Sequence, residues 1–140
     1  MFAYTGEINM IPFTVALKPG SPISEQLVYA IKRAIVSRQL KPGDRMVSVR
    51  VLSQELRINP NTAQKAFTRL ANEELIEVRP GIGYTIAVFR KEATDEQRDG
   101  ILEDEIERLV VEAKSLRLNK EDLIRAINGH WIRMSAESKK

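Results

Sequence analysis

The chain has 140 residues, 43% hydrophobic and 29% charged, which fits one ordinary domain or a small domain with an appendage. The absence of cysteine excludes disulfides, thiol catalysis and cysteine-ligated zinc, and it fits a reducing compartment. No apolar run reaches the ~18 residues of a membrane span, and we expect neither a membrane partner nor a signal peptide. Residues 1–90 hold 12 Lys/Arg and 7 Asp/Glu, whereas residues 91–140 hold 10 and 12. A basic front half suits a polyanion-binding face, although chance asymmetry explains it equally well.

The first forty residues predict an arm and a helix. Residues 1–20 form the N-terminal arm, in which Met1 to Asn9 is interpreted as a disordered extension. The β-branched and aromatic run from Ile11 to Leu17 predicts a short strand or an ordered lead-in. Ser21-Pro22 predicts a helix start, with a capping hydroxyl and proline at the first helical position. The apolar positions of this helix recur at helical spacing: Leu27, Ala30, Ile31, Ala34 and Ile35.

The stretch from Pro42 to Gly83 begins with the pattern of a helix-turn-helix. A short helix around Val49 to Leu56, capped by Ser48, precedes a tight turn. A second helix opens at Asn59-Pro60 and runs to Arg69. The inward stripe of this second helix is Ala63, Ala66, Phe67 and Leu70, and its other face carries Asn61, Gln64, Lys65 and Thr68.

Two short strands, Leu75–Val78 and Tyr84–Phe89, are predicted to follow around a tip at Pro80–Gly83. The two glycines of the tip permit a tight turn and close approach to a ligand backbone. Two helices joined by a short turn and followed by a basic, glycine-tipped hairpin are typical of a winged helix-turn-helix, which we place at residues 21–89. The expected fold is mainly α with a small β-wing, and double-stranded DNA is the expected partner.

The helix from Asn59 to Arg69 is the candidate reading helix, because the second helix of a helix-turn-helix lies in the major groove. Asn and Gln side chains can contact adenine at two points, while Lys reaches guanine or phosphate. The alternative is an ordinary solvated polar face. Arg50 begins the supporting helix and either reaches DNA or pairs with Glu55 or Asp44. Arg79 either touches phosphate or a minor groove, or protects a strand edge.

Residues 90–140 are predicted to form a helical hairpin. The first helix runs from Thr94 to a break at Asn119, and the second starts near Lys120. Each helix has one apolar stripe: Leu102, Ile106, Leu109, Ala113 and Leu116 in the first, and Leu123, Ile127, Trp131 and Met134 in the second. Two such helices bury little by themselves, so we expect a second copy to cover them in a two-fold homodimer.

Catalytic and metal sites are not predicted. His130 is the one histidine, and a metal site needs several ligands. The acidic run from Glu103 to Glu107 fits the solvated side of a helix. We find no phosphate-binding loop, nucleophile–base pair or cofactor fingerprint, and therefore expect no enzyme and no cofactor. The remaining alternative is a winged-helix module that binds protein and not DNA.

The segments PISEQL, LKPGDRM, SVRVLS, INPNTAQKAF and LIEVRPGIGYTI, with the spacing between them, resemble the GntR family of bacterial transcription regulators. The match covers roughly Pro22 to Phe89, and NPNT is typical of the small YtrA-like branch. The resemblance implies a dimeric, cytoplasmic DNA-binding regulator, usually a repressor of its own operon, which in this branch often encodes a transporter. The tail fits the short two-helix dimerisation unit of this branch. A small-molecule effector, of unknown identity, is a further partner to consider.

The resemblance also assigns residues. Arg50 matches the family's DNA-contacting arginine, and Gly81 matches the wing-tip glycine. Ile82 and Tyr84 depart from the Lys and Thr common in the family, which predicts weaker phosphate contact from the wing. The predicted DNA-binding residues are Ser48, Arg50, Asn59, Asn61, Thr62, Gln64, Lys65, Arg79 and Gly81. The predicted dimerisation residues are Leu102, Ile106, Leu109, Leu116, Leu123, Ile127 and Trp131.

Overall fold

The structure, a computed structural model, describes residues 2–4, 11–88 and 94–138, with side chains for 11–88 and 94–135. Two compact units divide the chain, one within residues 1–90 and one within 91–138. The fold is mainly helical with a small β-wing, which confirms the predicted fold class. The elements in chain order are β1 Phe2–Tyr4, β2 Val15–Leu17, α1 Ile23–Val36, α2 Val49–Leu56, α3 Pro60–Asn72, β3 Ile76–Arg79, β4 Gly83–Ile86, α4 Asp95–Ser115 and α5 Lys120–Ser138.

The segment at 11–17 is part of the core of the first unit. Its side chains alternate, and Ile11, Phe13, Val15 and Leu17 are buried. Strand β2 pairs antiparallel with β1. The prediction of a disordered extension is therefore wrong for Phe2–Tyr4, because β2 offers an edge with which they pair; Met1 and residues 5–9 lie outside the described residues.

Helix α1 begins one residue later than predicted. Pro22 takes the position before the first helical residue and Ser21 does not cap the helix. The Gln26 side chain orders this corner, since its Nε2 donates to Ser21 Oγ (3.0 Å) and to the Lys18 carbonyl (2.7 Å), while its Oε1 accepts from the Lys18 N–H (2.8 Å). The Ser21 hydroxyl thus accepts a hydrogen bond from Gln26 and does not cap α1.

Helices α1, α2 and α3 enclose the core of the first unit. Helix α3 packs on both α1 and α2. Its predicted inward residues, Ala63, Ala66, Phe67 and Leu70, are all buried. Lys32 of α1 and Glu73 at the end of α3 form a 2.7 Å ion pair at the half-buried border of this contact. The packing leaves the opposite side of α3 open to solvent.

The wing is an antiparallel hairpin in which Ile76 lies opposite Ile86 and Arg79 opposite Gly83. The loop between α1 and α2 pairs with strand β4 of this hairpin. Met46 N–H donates to the Tyr84 carbonyl (2.8 Å), and Ile86 N–H donates to the Asp44 carbonyl (2.8 Å). Strand β4 ends at Ile86 instead of continuing to the predicted Phe89, which lies outside the described residues.

The second unit contains two consecutive helices. A capping box opens α4, in which Gln97 N–H donates to Thr94 Oγ1 (3.2 Å) and Thr94 N–H donates to Gln97 Oε1 (2.9 Å). At the start of α5, Asp122 N–H donates to Asn119 Oδ1 (2.8 Å). Helices α4 and α5 make few contacts with each other, so they do not pack side by side as a hairpin would. Neither helix therefore covers the apolar stripe of the other.

The apolar stripes of the second unit face solvent. Ala113 is the only buried residue among those described in this unit. Trp131 is 76% exposed. The other predicted dimerisation residues of α4 and α5 are half-buried to exposed: Leu102, Ile106, Leu109, Leu116, Leu123 and Ile127.

Candidate nucleic-acid interface

The turn between α2 and α3 is built from three residues. Arg57 has a left-handed backbone (φ 55°), which ends α2. Ile58 is partly buried against the core and donates its N–H to the Ser53 carbonyl (3.0 Å). Asn59 then caps α3. This arrangement fixes the start of α3 beside α2 and directs its polar face outward.

The exposed face of α3 contains the predicted reading residues. Asn61, Gln64, Lys65 and Thr68 are all exposed, and Thr62 is half-buried. This polar face lies opposite the buried stripe around Phe67, so the core holds it in place. The structure therefore brings Asn61, Gln64 and Lys65 onto one continuous surface, as the sequence predicts.

Two predicted DNA-binding residues, Ser48 and Asn59, serve as helix caps. Ser48 Oγ accepts from the Val51 N–H (3.1 Å), and Asn59 Oδ1 accepts from the Asn61 N–H (2.8 Å). A bidentate contact to adenine requires the carboxamide oxygen. The cap uses one of the two lone pairs of the Asn59 oxygen and ties that oxygen to the backbone of α3, whereas the NH₂ group takes no part in the cap.

Gln64 is held by a contact that sequence reasoning missed. Its Nε2 donates to Thr68 Oγ1 (3.2 Å) on α3 and to the Tyr84 hydroxyl (3.3 Å) on β4. The Tyr84 ring meets Phe67 edge-on, with centroids 5.2 Å apart and planes at 81°. Tyr84 is recognisable in the sequence as an unusual wing residue, but no local pattern connects it to a residue twenty positions earlier.

The wing places Arg79 and Gly81 at its end. Arg79 Nη2 lies 3.5 Å from Glu77 Oε1, and both side chains are about half exposed. Gly81 and Gly83 have positive φ angles of 79° and 105°, and an added Cβ at either would meet nothing within 4 Å. Backbone conformation is therefore the reason for glycine at both positions. Ile82, between them, is 48% exposed.

Arg50 is exposed in the first turn of α2, where its side chain is accessible to an incoming ligand. Asp44, one of its two candidate partners, accepts a hydrogen bond at Oδ2 from the Lys41 backbone N–H (2.8 Å). Arg50 and Lys65 thus supply exposed positive charge from the two helices of the helix-turn-helix.

An open groove of about 670 Å³ lies between the outer sides of β2 and α1. The sequence suggests a possible small-molecule effector but does not anticipate this surface. Its lining includes Lys18, Glu25, Tyr29 and Arg33.

Among the residues that the structure describes, no group of three or more His, Asp or Glu side chains is placed to hold a metal ion. Within the same residues, no helix is long and apolar enough to span a membrane.

The family comparison agrees with this geometry. A family model described as bacterial regulatory proteins of the gntR family matches residues 23–86. The chain is similar to the HTH-type transcriptional regulator YhcF of Bacillus subtilis (strain 168), with 33% identity over 106 residues that cover 76% of this chain and 87% of YhcF. It is also similar to the HTH-type transcriptional repressor YtrA of the same organism, with 30% identity over 123 residues that cover 87% of this chain and 91% of YtrA.

Solved structures share the fold. A transcriptional antiterminator from Listeria monocytogenes EGD-e superposes with a TM-score of 0.75 at 25% identity, over 87% of this chain and 91% of that chain. A GntR family transcriptional regulator from Listeria monocytogenes superposes with a TM-score of 0.61 at 29% identity, over 81% of this chain and 98% of that chain. These are transcription regulators and not enzymes. The chain therefore belongs to the GntR family of bacterial DNA-binding transcription regulators, in its YtrA-like branch.

Proposed function

We propose that the protein is a cytoplasmic homodimeric repressor that binds an inverted-repeat operator through α3 and the wing. The observation that carries this proposal is the exposed polar face of α3, with Asn61, Gln64 and Lys65 held on one surface by the buried stripe behind it. Lysine and arginine contacts to phosphate would supply affinity, and base contacts from α3 would supply specificity. Binding over a promoter would then block transcription.

The dimer is inferred from the second unit. Apolar side chains on α4 and α5 are exposed in one chain, including Ile106 (55%) and Trp131 (76%). Exposed apolar surface of this extent marks an interaction site. A second copy of the same helices is the partner that supports an inverted repeat, because a two-fold dimer presents two copies of α3.

The regulated genes are proposed by analogy. The relative YtrA is a transcriptional repressor, and we extend repression from it to this chain. Control of a transporter operon follows from the resemblance to the YtrA-like branch. An effector that changes the angle between protomers would change the spacing of the two α3 helices and so release DNA.

Selection from a random duplex library tests the proposal. We expect an inverted repeat whose half-sites are centred about 10 bp apart or a multiple of it, so that both α3 helices meet one face of the duplex. Inserting about 5 bp between the half-sites should reduce affinity to the single-site level, whereas inserting about 10 bp should restore much of it. An asymmetric site, or binding indifferent to the 5 bp insertion, contradicts the dimeric model.

The alternative of a protein-binding module is separated by salt dependence. Fluorescence anisotropy with random duplex at low salt should show binding that weakens steeply as salt rises, because counterions return to the phosphates. A module that does not bind DNA shows no such binding. The family membership favours the DNA-binding outcome.

A further inference from the structure

We infer that Tyr84 is a specificity-determining positioning residue, which holds Gln64 as a hydrogen-bond acceptor and directs it to read an exocyclic amino group of a base. This inference rests on the proposed function, since it concerns how α3 reads DNA. It changes the expectation from the sequence, in which Gln64 makes a two-point contact with adenine.

The inference begins with the hydrogens of the Gln64 carboxamide. Its NH₂ group has two hydrogens, and both have an acceptor in the structure: Thr68 Oγ1 at 3.2 Å and the Tyr84 hydroxyl at 3.3 Å. The oxygen Oε1 remains to face a ligand. A two-point contact with adenine needs one N–H for N7 and the oxygen for the N6 amino group. Gln64 in this arrangement provides only the oxygen.

The arrangement is held from behind by the wing. Tyr84 lies on β4 opposite Val78, and its carbonyl accepts from the Met46 N–H (2.8 Å). Its ring packs edge-on against Phe67, which is completely buried. The hydroxyl is therefore fixed relative to α3 by both backbone pairing and ring packing.

The available base partners follow from the chemistry of the major groove. Hydrogen-bond donors there are the N6 amino group of adenine and the N4 amino group of cytosine, whereas guanine and thymine present acceptors. Gln64 Oε1 should accept from adenine or cytosine with similar strength and should disfavour guanine and thymine. Without the Tyr84 hydroxyl, one N–H is released and the two-point contact with adenine becomes available.

The test compares four single-base operators at the position that Gln64 reads. That position is the one whose preference disappears in Gln64→Ala. The wild type should bind adenine and cytosine operators alike, whereas Tyr84→Phe should favour adenine over cytosine by roughly fivefold or more, the lower range for a two-point contact. Gln64→Glu, which offers only acceptors, should lose overall affinity but keep cytosine above guanine and thymine.

Tyr29→Phe provides the matched control, because Tyr29 is an exposed tyrosine of α1. It should leave the base preference of the wild type unchanged, and thermal melts should show that Tyr84→Phe remains folded. An unchanged adenine-to-cytosine ratio in Tyr84→Phe, or a guanine preference in the wild type, overturns the inference. If the wild-type protein binds no duplex at all, the proposed function is overturned instead, so the two failures are distinguishable.

Discussion

At the scale of single residues, several helices end on a charged residue with a left-handed backbone. Arg38, Arg57, Glu74 and Arg117 all have φ between 55° and 65°. After α3, Glu74 N–H donates to the Ala71 carbonyl and Leu75 N–H to the Leu70 carbonyl, both at 3.0 Å. This is the bonding pattern of a Schellman motif, in which glycine is the usual residue at the position of Glu74. Its side chain therefore imposes a conformational cost on the folded state.

We predict that Glu74→Gly stabilises the protein. A side chain in the left-handed conformation costs about 1–2 kcal/mol, and removing Cβ relieves this strain. Glycine also makes the unfolded chain more flexible, which offsets about 0.5–1 kcal/mol of that gain. A net gain of about 0.5–1 kcal/mol should appear as a higher melting temperature of the winged domain by calorimetry. Glu74→Ala is the control, because it removes the charge and keeps the strain. An equal gain in both variants would show that charge, and not backbone strain, is responsible.

We predict that Arg50→Ala weakens operator binding. Loss of one base or phosphate contact costs roughly 1–3 kcal/mol. The melting temperature should barely change, since Arg50 is exposed. The measurement is titration of a selected operator. Arg108→Ala is the control, because it makes the same change in net charge at an exposed position of α4. Equal affinities for Arg50→Ala and wild type would remove Arg50 from the interface.

At the scale of secondary-structure elements, α3 has two faces with separate tasks. The buried face around Phe67 anchors it to α1 and α2, and the exposed face is left for ligands. The wing reaches this exposed face through Tyr84, so α3 and the hairpin form one surface. Lys65 contributes a positive charge to that surface.

Lys65→Ala should weaken binding to all duplexes alike and lower the salt slope by about one unit, as expected for one lost phosphate contact. The measurement is the affinity for specific and random duplexes at several salt concentrations. Lys120→Ala, at the start of α5, is the control with the same charge change. A loss confined to the selected operator would mean that Lys65 reads a base.

At the scale of the whole molecule, the two units differ in how much they bury. The first unit has a continuous core that includes residues from β2, α1, α2, α3 and the wing. The second unit buries only Ala113 among its described side chains. Association through the second unit is the simplest way for its apolar side chains to leave water.

Ile106→Glu should weaken the dimer by roughly tenfold or more, because a carboxylate would replace an apolar contact in the interface. Sedimentation across a concentration series gives the dissociation constant. Val111→Glu is the matched control, since it adds the same charge at an exposed position on the other side of α4. A wild-type chain that stays monomeric at micromolar concentration, or equal weakening by both variants, would contradict association through this stripe.

The sequence by itself determined the helices of the winged domain and the direction of their faces. Val49–Leu56 agrees with prediction, and the Asn59 cap and the buried face of α3 do so as well. These features depend on residues three or four apart, or on a cap within one turn. A short stretch of sequence is therefore enough to predict the helices and the orientation of their faces. The exposure of Asn61, Gln64 and Lys65 follows from the same periodicity.

Only the tertiary structure decided which distant residues meet. The contact between Gln64 and Tyr84, and the burial of Ile11 and Phe13 in the core, join elements that are far apart in sequence. The small contact between α4 and α5 is likewise a tertiary feature, because the periodicity of each apolar stripe does not specify which surface covers it. Packing across elements depends on how whole surfaces fit together, and that fit sets the hydrogen bonds available to Gln64.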